Sequence, residues 1–245
     1  MRNHRVLASL VTVGLLGMPV VAASSATAEE PVQIQTKVAQ VVVSPTLKAY
    51  KKPTQIHGQK FSFSASIQAL DPSDNQWKSL PSGGQYVVER RLAGQKGFKA
   101  IKSGTTYGTV TLSGLKVVRN AVYRVRFLGG SGSVGGTPVV MSPSAGKKQL
   151  RVMRKFGKLK VNKNKRIFRG KVAPKYKRKR VIIQRKNCEK GCKWKPYAKV
   201  KTNKKSVFAV KMQVRKGKKW FYRAVIPKNK AFVKSVSPHA WIVLY

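Results

Sequence analysis

Residues 179–202 read KRVIIQRKNCEKGCKWKPYAKVKT. Two strand-like runs flank a short polar loop that contains Gly191, the pattern of a β-hairpin. In the second run Trp194, Pro196, Ala198 and Val200 take the even positions, and Lys193, Lys195, Tyr197, Lys199 and Lys201 the odd ones. Strand side chains alternate faces, so this spacing predicts one lysine face and one face, led by Trp194, that enters a core. Pro196 lacks an N–H, which places the run at a sheet edge. A weaker copy of the unit, YVVERRLAGQKGFKAIKSGTT, occupies residues 86–106.

The rest of the chain follows the same two-residue period. Strands are predicted over 38–43, 61–70, 86–92, 97–102, 109–115, 121–128 and 148–153. In Phe61-Ser62-Phe63-Ser64-Ala65-Ser66-Ile67, apolar and small polar residues alternate, as in a strand with one buried face. Asp71-Pro72-Ser73-Asp74-Asn75 and Pro81-Ser82-Gly83-Gly84 read as turns around Trp77, and residues 129–136 as a flexible glycine and serine loop. No stretch of helix length holds an apolar 3.6-residue period.

The second half repeats the first. Tyr86-Val87-Val88-Glu89-Arg90-Arg91 matches Val181-Ile182-Ile183-Gln184-Arg185-Lys186, and Phe98 matches Trp194. Tyr123-Arg124-Val125 matches Tyr222-Arg223-Ala224, and Ser142 and Ser144 match Ser235 and Ser237. This alignment sets a boundary near Arg154, with one domain over 36–154 and a strongly basic one over 155–245. About seven short strands per hundred residues is the pattern of an immunoglobulin-like β-sandwich, and Tyr123 and Tyr222 sit where that fold places its tyrosine corner. The motifs V-x-x-Q-R (Val181 to Arg185), W-x-P (Trp194 to Pro196) and Y-R-A (Tyr222 to Ala224) resemble those of tandem bacterial Ig-like repeats in secreted Gram-positive proteins. The inter-sheet cysteine pair of antibody domains is absent. The expected fold is all-β: two tandem Ig-like β-sandwiches after an N-terminal signal peptide.

That signal is read over residues 1–28. Arg2 and Arg5 form a basic start, residues 6–21 are apolar, and Ala26-Thr27-Ala28 is a cleavage site. No twin-arginine pair precedes the apolar run, which points to the general secretory route. No second apolar segment suggests an anchor, so the mature chain is expected to be secreted, without a transmembrane segment, or held at the cell surface by charge.

Charge then narrows the partners. The chain carries 52 Lys and Arg against 6 Asp and Glu, a formal +46. Residues 155–245 hold 31 of the cations and one acid, Glu189; residues 29–154 hold 19 and five. Such a surface repels itself and attracts polyanions. The candidate polyanion-binding residues are Lys175, Lys177, Arg178, Lys179, Arg180, Lys193, Lys195, Lys199, Lys201, Lys218, Lys219 and Arg223. Tyr176, Tyr197 and Trp220 are interleaved with them. The partners this implies are anionic cell-wall polymers or acidic polysaccharides, with extracellular nucleic acid as the rival. Aromatics exposed on the basic face would favour nucleic acid through base stacking. A third reading is a cationic surface that binds nothing specific.

Candidate chemistry is sparse. Cys188 and Cys192 are the only cysteines; in an exported chain they predict a disulfide across the hairpin loop. A redox pair favours C-x-x-C, and a metal site needs more ligands than His57 and His239 supply. Asp71 and Asp74 are turn residues, and Glu89 is expected to pair with Arg90 or a nearby lysine. No G-x-S-x-G, phosphate loop or H-E-x-x-H occurs. The expected function is therefore a non-catalytic binding or structural role with no cofactor; a secreted enzyme would need a pocket bringing acids or histidine to a nucleophile.

Overall fold

The computed structural model describes residues 30–47, 50 and 52–243. The expected signal region, and Leu244 and Tyr245 of the expected last strand, lie outside the described residues. Among the described residues the chain is all-β, as its periodicity predicts, with strands joined by turns and no helix. The first half contains β1 (Val32–Ile34), β2 (Thr36–Ser44), β3 (Thr54–Ile56), β4 (Lys60–Asp71), β5 (Gln76–Lys78), β6 (Gly84–Leu92), β7 (Lys99–Thr106), β8 (Thr109–Lys116), β9 (Ala121–Val134), β10 (Thr137–Met141) and β11 (Ser144–Met153). The second contains β12 (Lys155–Asn162), β13 (Ile167–Ala173), β14 (Arg180–Lys186), β15 (Lys195–Lys201), β16 (Val207–Lys211), β17 (Trp220–Ile226), β18 (Ser235–Val236) and β19 (Ala240–Ile242).

Alternation explains how these strands pack. Phe61, Phe63, Ala65, Ile67 and Ala69 of β4 are buried, separated by Ser62, Ser64, Ser66 and Gln68. From the opposite sheet β9 sends Ala121, Tyr123, Val125 and Phe127 into the same core and leaves Arg124 and Arg126 on its other face. The Tyr123 ring meets Phe61 edge-on, with centroids 5.3 Å apart. Burying a ring of this size contributes roughly 2 kcal/mol, to which edge-to-face contact adds. The second core is built likewise from Phe168, Val172, Val181, Ile183, Phe208, Val210 and Tyr222. The Tyr222 hydroxyl donates to the carbonyl of Gln213 at 2.5 Å.

The two halves repeat each other in strand order and register. In the first, β4 lies between β2 and β8, and the facing sheet runs β7-β6-β9-β11. In the second, β13 lies between β12 and β16, and the facing sheet runs β15-β14-β17, with β18 and β19 both beside β17. Glu89 sits opposite Arg124, and Gln184 opposite Arg223. Even the irregularity recurs: the β6–β7 pairing slips between Val88 and Glu89, and the β14–β15 pairing between Ile183 and Gln184.

Two features depart from expectation. Residues 129–134 are not a loop: β9 continues through them and pairs with β10. The glycines are there for close approach. A Cβ on Gly129, which has φ +99°, would lie 2.7 Å from the Met141 carbonyl oxygen, and one on Gly132 would meet the Ser82 side chain at 2.3 Å.

The second departure crosses the midpoint of the chain. Phe232, from the β17–β18 connection, is buried in the first core and meets His57 edge-on. Asn120 N–H donates to the Ala231 carbonyl, and Val233 N–H to the Val152 carbonyl. Beside them Arg154 is buried with its guanidinium over Phe232 at 4.1 Å and Tyr176 at 4.6 Å. Burial pushes its pKa below the ordinary value. Pro31–Tyr245 is accordingly one compact unit.

Candidate anion-binding face

The hairpin forms as expected, with β14 antiparallel to β15 and β15 at the sheet edge. Its tip is closed by a Cys188–Cys192 disulfide. So small a ring contributes about 2 kcal/mol on the chain-entropy estimate. The corresponding first-half loop is two residues shorter and is held instead by Gln95, whose side-chain oxygen accepts from Leu92 N–H.

The lysine face does not survive intact. Because Ile183 pairs with Ala198 and Gln184 with Pro196, Tyr197 is an extra residue in the edge strand. A bulge of this kind re-aims side chains. Tyr197 turns inward, packs against the second core and donates its hydroxyl to the Lys211 carbonyl at 2.8 Å. Past the bulge Lys195 pairs with Arg185, whose guanidinium lies over Tyr197 and Trp220 on the core side of the sheet. Lys199 and Lys201 pair with Ile182 and Arg180 on the outer side. Pro196, expected in the core, is exposed.

Trp194, also expected in the core, is half-buried on the outer face. Its ring carries the Arg223 guanidinium at 4.3 Å and the Lys186 ammonium at 5.1 Å. Next to it His239 lies against Phe221, and Lys219 sits over Phe221 and Trp241. Cations seated on rings in this way gain electrostatically from the ring face. Burial lowers the Arg223 pKa.

The basic runs also separate. Lys175, Lys177, Arg178, Lys179 and Arg180 form the exposed turn into β14, alongside Lys201, where Thr202 N–H donates to the Lys179 carbonyl. Lys193, Lys195, Lys218 and Lys219 lie at the opposite end, about 20 Å away along a seven-residue strand. There Trp220 separates two clefts of about 370 and 430 Å³, lined by Arg185, Lys195, Arg215 and Lys218 among others. The Trp220 indole N–H is buried and meets no acceptor among the described residues. Tyr176 is buried, its hydroxyl donating to the Arg180 carbonyl.

Sequence reasoning missed a further cationic surface. Lys155, Lys160, Arg169, Lys171 and Lys211 are exposed on the open face of β12-β13-β16, and Lys158, Lys160, Arg169, Lys171 and Lys205 line a cleft of about 320 Å³ there. The alternation of Phe168 and Val172 with Arg169 and Lys171 carried the signal.

Among the described residues, acids pair with cations in the first half alone. Glu89 pairs with Arg124 at 2.7 Å and Arg126 at 3.2 Å, rather than with Arg90 or a lysine. Burial works to raise its pKa, but hydrogen bonds from the two arginines prevail and hold it below the ordinary value. Asp71 is held well below the carboxylate range by Ser73 and Lys78, and Asp74 also pairs with Lys78. Among the described residues from 155 onward, no Lys or Arg pairs with a carboxylate. No three His, Cys, Asp or Glu side chains converge as a metal site among the described residues. Among the described residues no helix is long and apolar enough to cross a membrane.

No family model matches the chain, and no curated protein matches it. Among solved structures it is similar to a tetra-tandem repeat in the extending region of a large adhesion protein, at 8% identity and a TM-score of 0.28. The match covers 87% of this chain and 49% of that one, so the chain spans about half the length of its neighbour.

Proposed function

We propose that this protein is an extracellular, non-catalytic binding or structural protein that associates with anionic cell-envelope polymers through its second half. In this reading it comprises two tandem Ig-like units, 36–154 and 155–245, and works outside the cell as an electrostatic holdfast. The observation that carries the reading is the unpaired charge: the second half turns its cations outward on both sheets without one carboxylate partner among the described residues. A surface of one sign costs self-repulsion, which an external polyanion relieves.

The test is binding of the full mature chain to an immobilised polyol-phosphate wall polymer, with neutral dextran as control. Retention at low ionic strength is expected, with log affinity falling linearly in log salt as counterions are released. Exchanging Lys160, Arg169, Lys171 and Lys211 for Ser should flatten that slope by about three units while leaving the fold intact. No retention at low salt, or retention that salt does not change, sinks the proposal.

A further inference from the structure

One constellation occurs twice in the molecule, around a carboxylate in the first half and around a neutral amide in the second. In the first half the Glu89 carboxylate accepts from Arg124 Nε and Arg126 Nε, and Arg124 and Arg91 lie over the Phe98 ring at 4.1 and 4.9 Å. In the second half Gln184 takes the place of Glu89, Arg223 that of Arg124, Lys186 that of Arg91 and Trp194 that of Phe98. The geometry is retained: Gln184 Oε1 accepts from Arg223 Nε at 2.9 Å, and Arg223 and Lys186 lie over Trp194. What has gone is the negative charge, together with one of the two arginines it paired with, since Val225 stands where the first half has Arg126. The terminal nitrogens of Arg223 meet no protein acceptor among the described residues. Lys186 donates to a backbone carbonyl, that of Glu189, and the Glu189 carboxylate pairs with no cation among the described residues.

We propose that Arg223, Lys186 and Trp194 form a binding site for the phosphodiester oxyanion of a polyol-phosphate chain, which supplies the charge that Glu89 supplies in the first half. The site rests on the reading above that the second half holds anionic polymers, and it names where and what. A guanidinium lying on a ring keeps its N–H edge free for an oxyanion, and charge-assisted hydrogen bonds of this kind are the strong ones. The Cys188–Cys192 bond pins the loop that delivers Trp194 and anchors Lys186. The rings argue for a polyol backbone over a nucleic acid. Trp194 carries Arg223 and Lys186, Trp220 carries Arg185 at 4.7 Å, and Trp241 carries Lys219 at 4.6 Å. Base stacking needs an open ring face; Trp194 and Trp220 already seat cations, while Trp241 is 45% exposed beside Lys219.

Gln184→Glu tests the site, because the first half shows that a glutamate fits this position. Asn164→Asp, on an exposed turn of the same half, is the control with the same change in net charge. Against a polyol-phosphate polymer, Gln184→Glu should weaken binding about tenfold and lower the salt slope by about one unit, whereas Asn164→Asp should stay within about twofold. In nuclear magnetic resonance titrations, inorganic phosphate should shift the Trp194 indole and Arg223 Nε–H signals of the wild type and leave those of Gln184→Glu unmoved. Equal weakening by the two variants, or no phosphate shift at Trp194, removes the site while leaving the broader reading standing. A phosphate shift at Trp194 in a protein that ignores the polymer overturns the broader reading instead. Tighter binding of single-stranded DNA with the same number of phosphates overturns the choice of a polyol chain.

Discussion

Glu89 and Gln184 stand at equivalent strand positions, the first a carboxylate holding two arginines of the neighbouring strand and the second a neutral amide holding one. Around Glu89 two arginines share one carboxylate while a third lies on the neighbouring ring; around Gln184 an arginine and a lysine share an aromatic ring, with no acid paired to either among the described residues. The same backbone register accommodates both, so the carboxylate is not what makes these strands pair. Pairing comes from the inward residues, Val88 and Val125 in one half and Ile183 and Ala224 in the other. The outward positions are thereby free to vary in charge without loss of fold. The first half pairs some of its outward cations with acids, and the second leaves its own without a carboxylate partner among the described residues.

The largest expected effect asks whether the halves can be compared as separate bodies at all. Phe232 belongs to the second half by sequence and to the first core by packing. Phe232→Ala should cost about 3 kcal/mol through the lost ring and the cavity left behind. It also strips one of the two rings from the buried Arg154 guanidinium. The denaturation midpoint should fall, and exchange of the Asn120 and Val233 amides, which bridge the halves, should accelerate. An unmoved midpoint would mean that the halves are stable independently of this connection.

The next test exchanges the two equivalent residues. Glu89→Gln leaves Arg124 and Arg126 without their counter-charge. Breaking a fully buried pair costs more, but these arginine side chains are 34% and 43% exposed, so about 2 kcal/mol is expected. Gln184→Glu should be neutral or stabilising by less than about 1 kcal/mol. The same contrast predicts the acid response. The folded pKa of Glu89 lies below its ordinary 4.5, so its stabilisation is full above that value and is lost as pH falls through the lowered one. Glu89→Gln should flatten the wild-type stability curve in that window. Asp71 contributes with the same sign in both proteins, since its pKa is lowered too. Equal costs for the two swaps, or parallel acid curves, would break the comparison.

Much of the architecture was legible because burial writes itself into a two-residue period. The alternation of 61–67, the hairpin around Gly191, the cysteine pair and the order of the repeat all follow from local pattern. The bulge at Tyr197 was not legible. An extra residue in an edge strand has no compositional mark, and one extra residue reverses every side chain beyond it. That is why Lys195 parted from Lys199, and why Trp194 left the core. The reach of Phe232 into the first core was hidden for another reason, since a contact between distant segments leaves no periodicity. The strand through residues 129–134 was masked by glycines, whose composition reads as flexibility and whose role is close packing against Ser82 and Met141.

The smallest expected effect is the one on which sequence and structure differ most. Read from alternation alone, Trp194 is a core residue whose replacement by Ser unfolds the second half. In the structure its ring lies on the outer sheet face, outside the second core, touching Arg223, Lys186 and His239. Trp194→Ser should therefore cost no more than about 1 kcal/mol, the worth of partly exposed cation–ring contacts. Phe98→Ser, at the equivalent position, should cost a similar amount, because Arg91 and Arg124 are seated there in the same way. The two should diverge in what they release. Arg124 stays tied to Glu89 when its ring is lost, whereas Arg223 keeps only a neutral amide. Trp194→Ser should thus loosen the Arg223 side chain, read as faster Nε–H exchange, while Phe98→Ser leaves Arg124 slow. Unfolding of the second half by Trp194→Ser would return the ring to the core, and equal exchange at the two arginines would show that the carboxylate makes no difference.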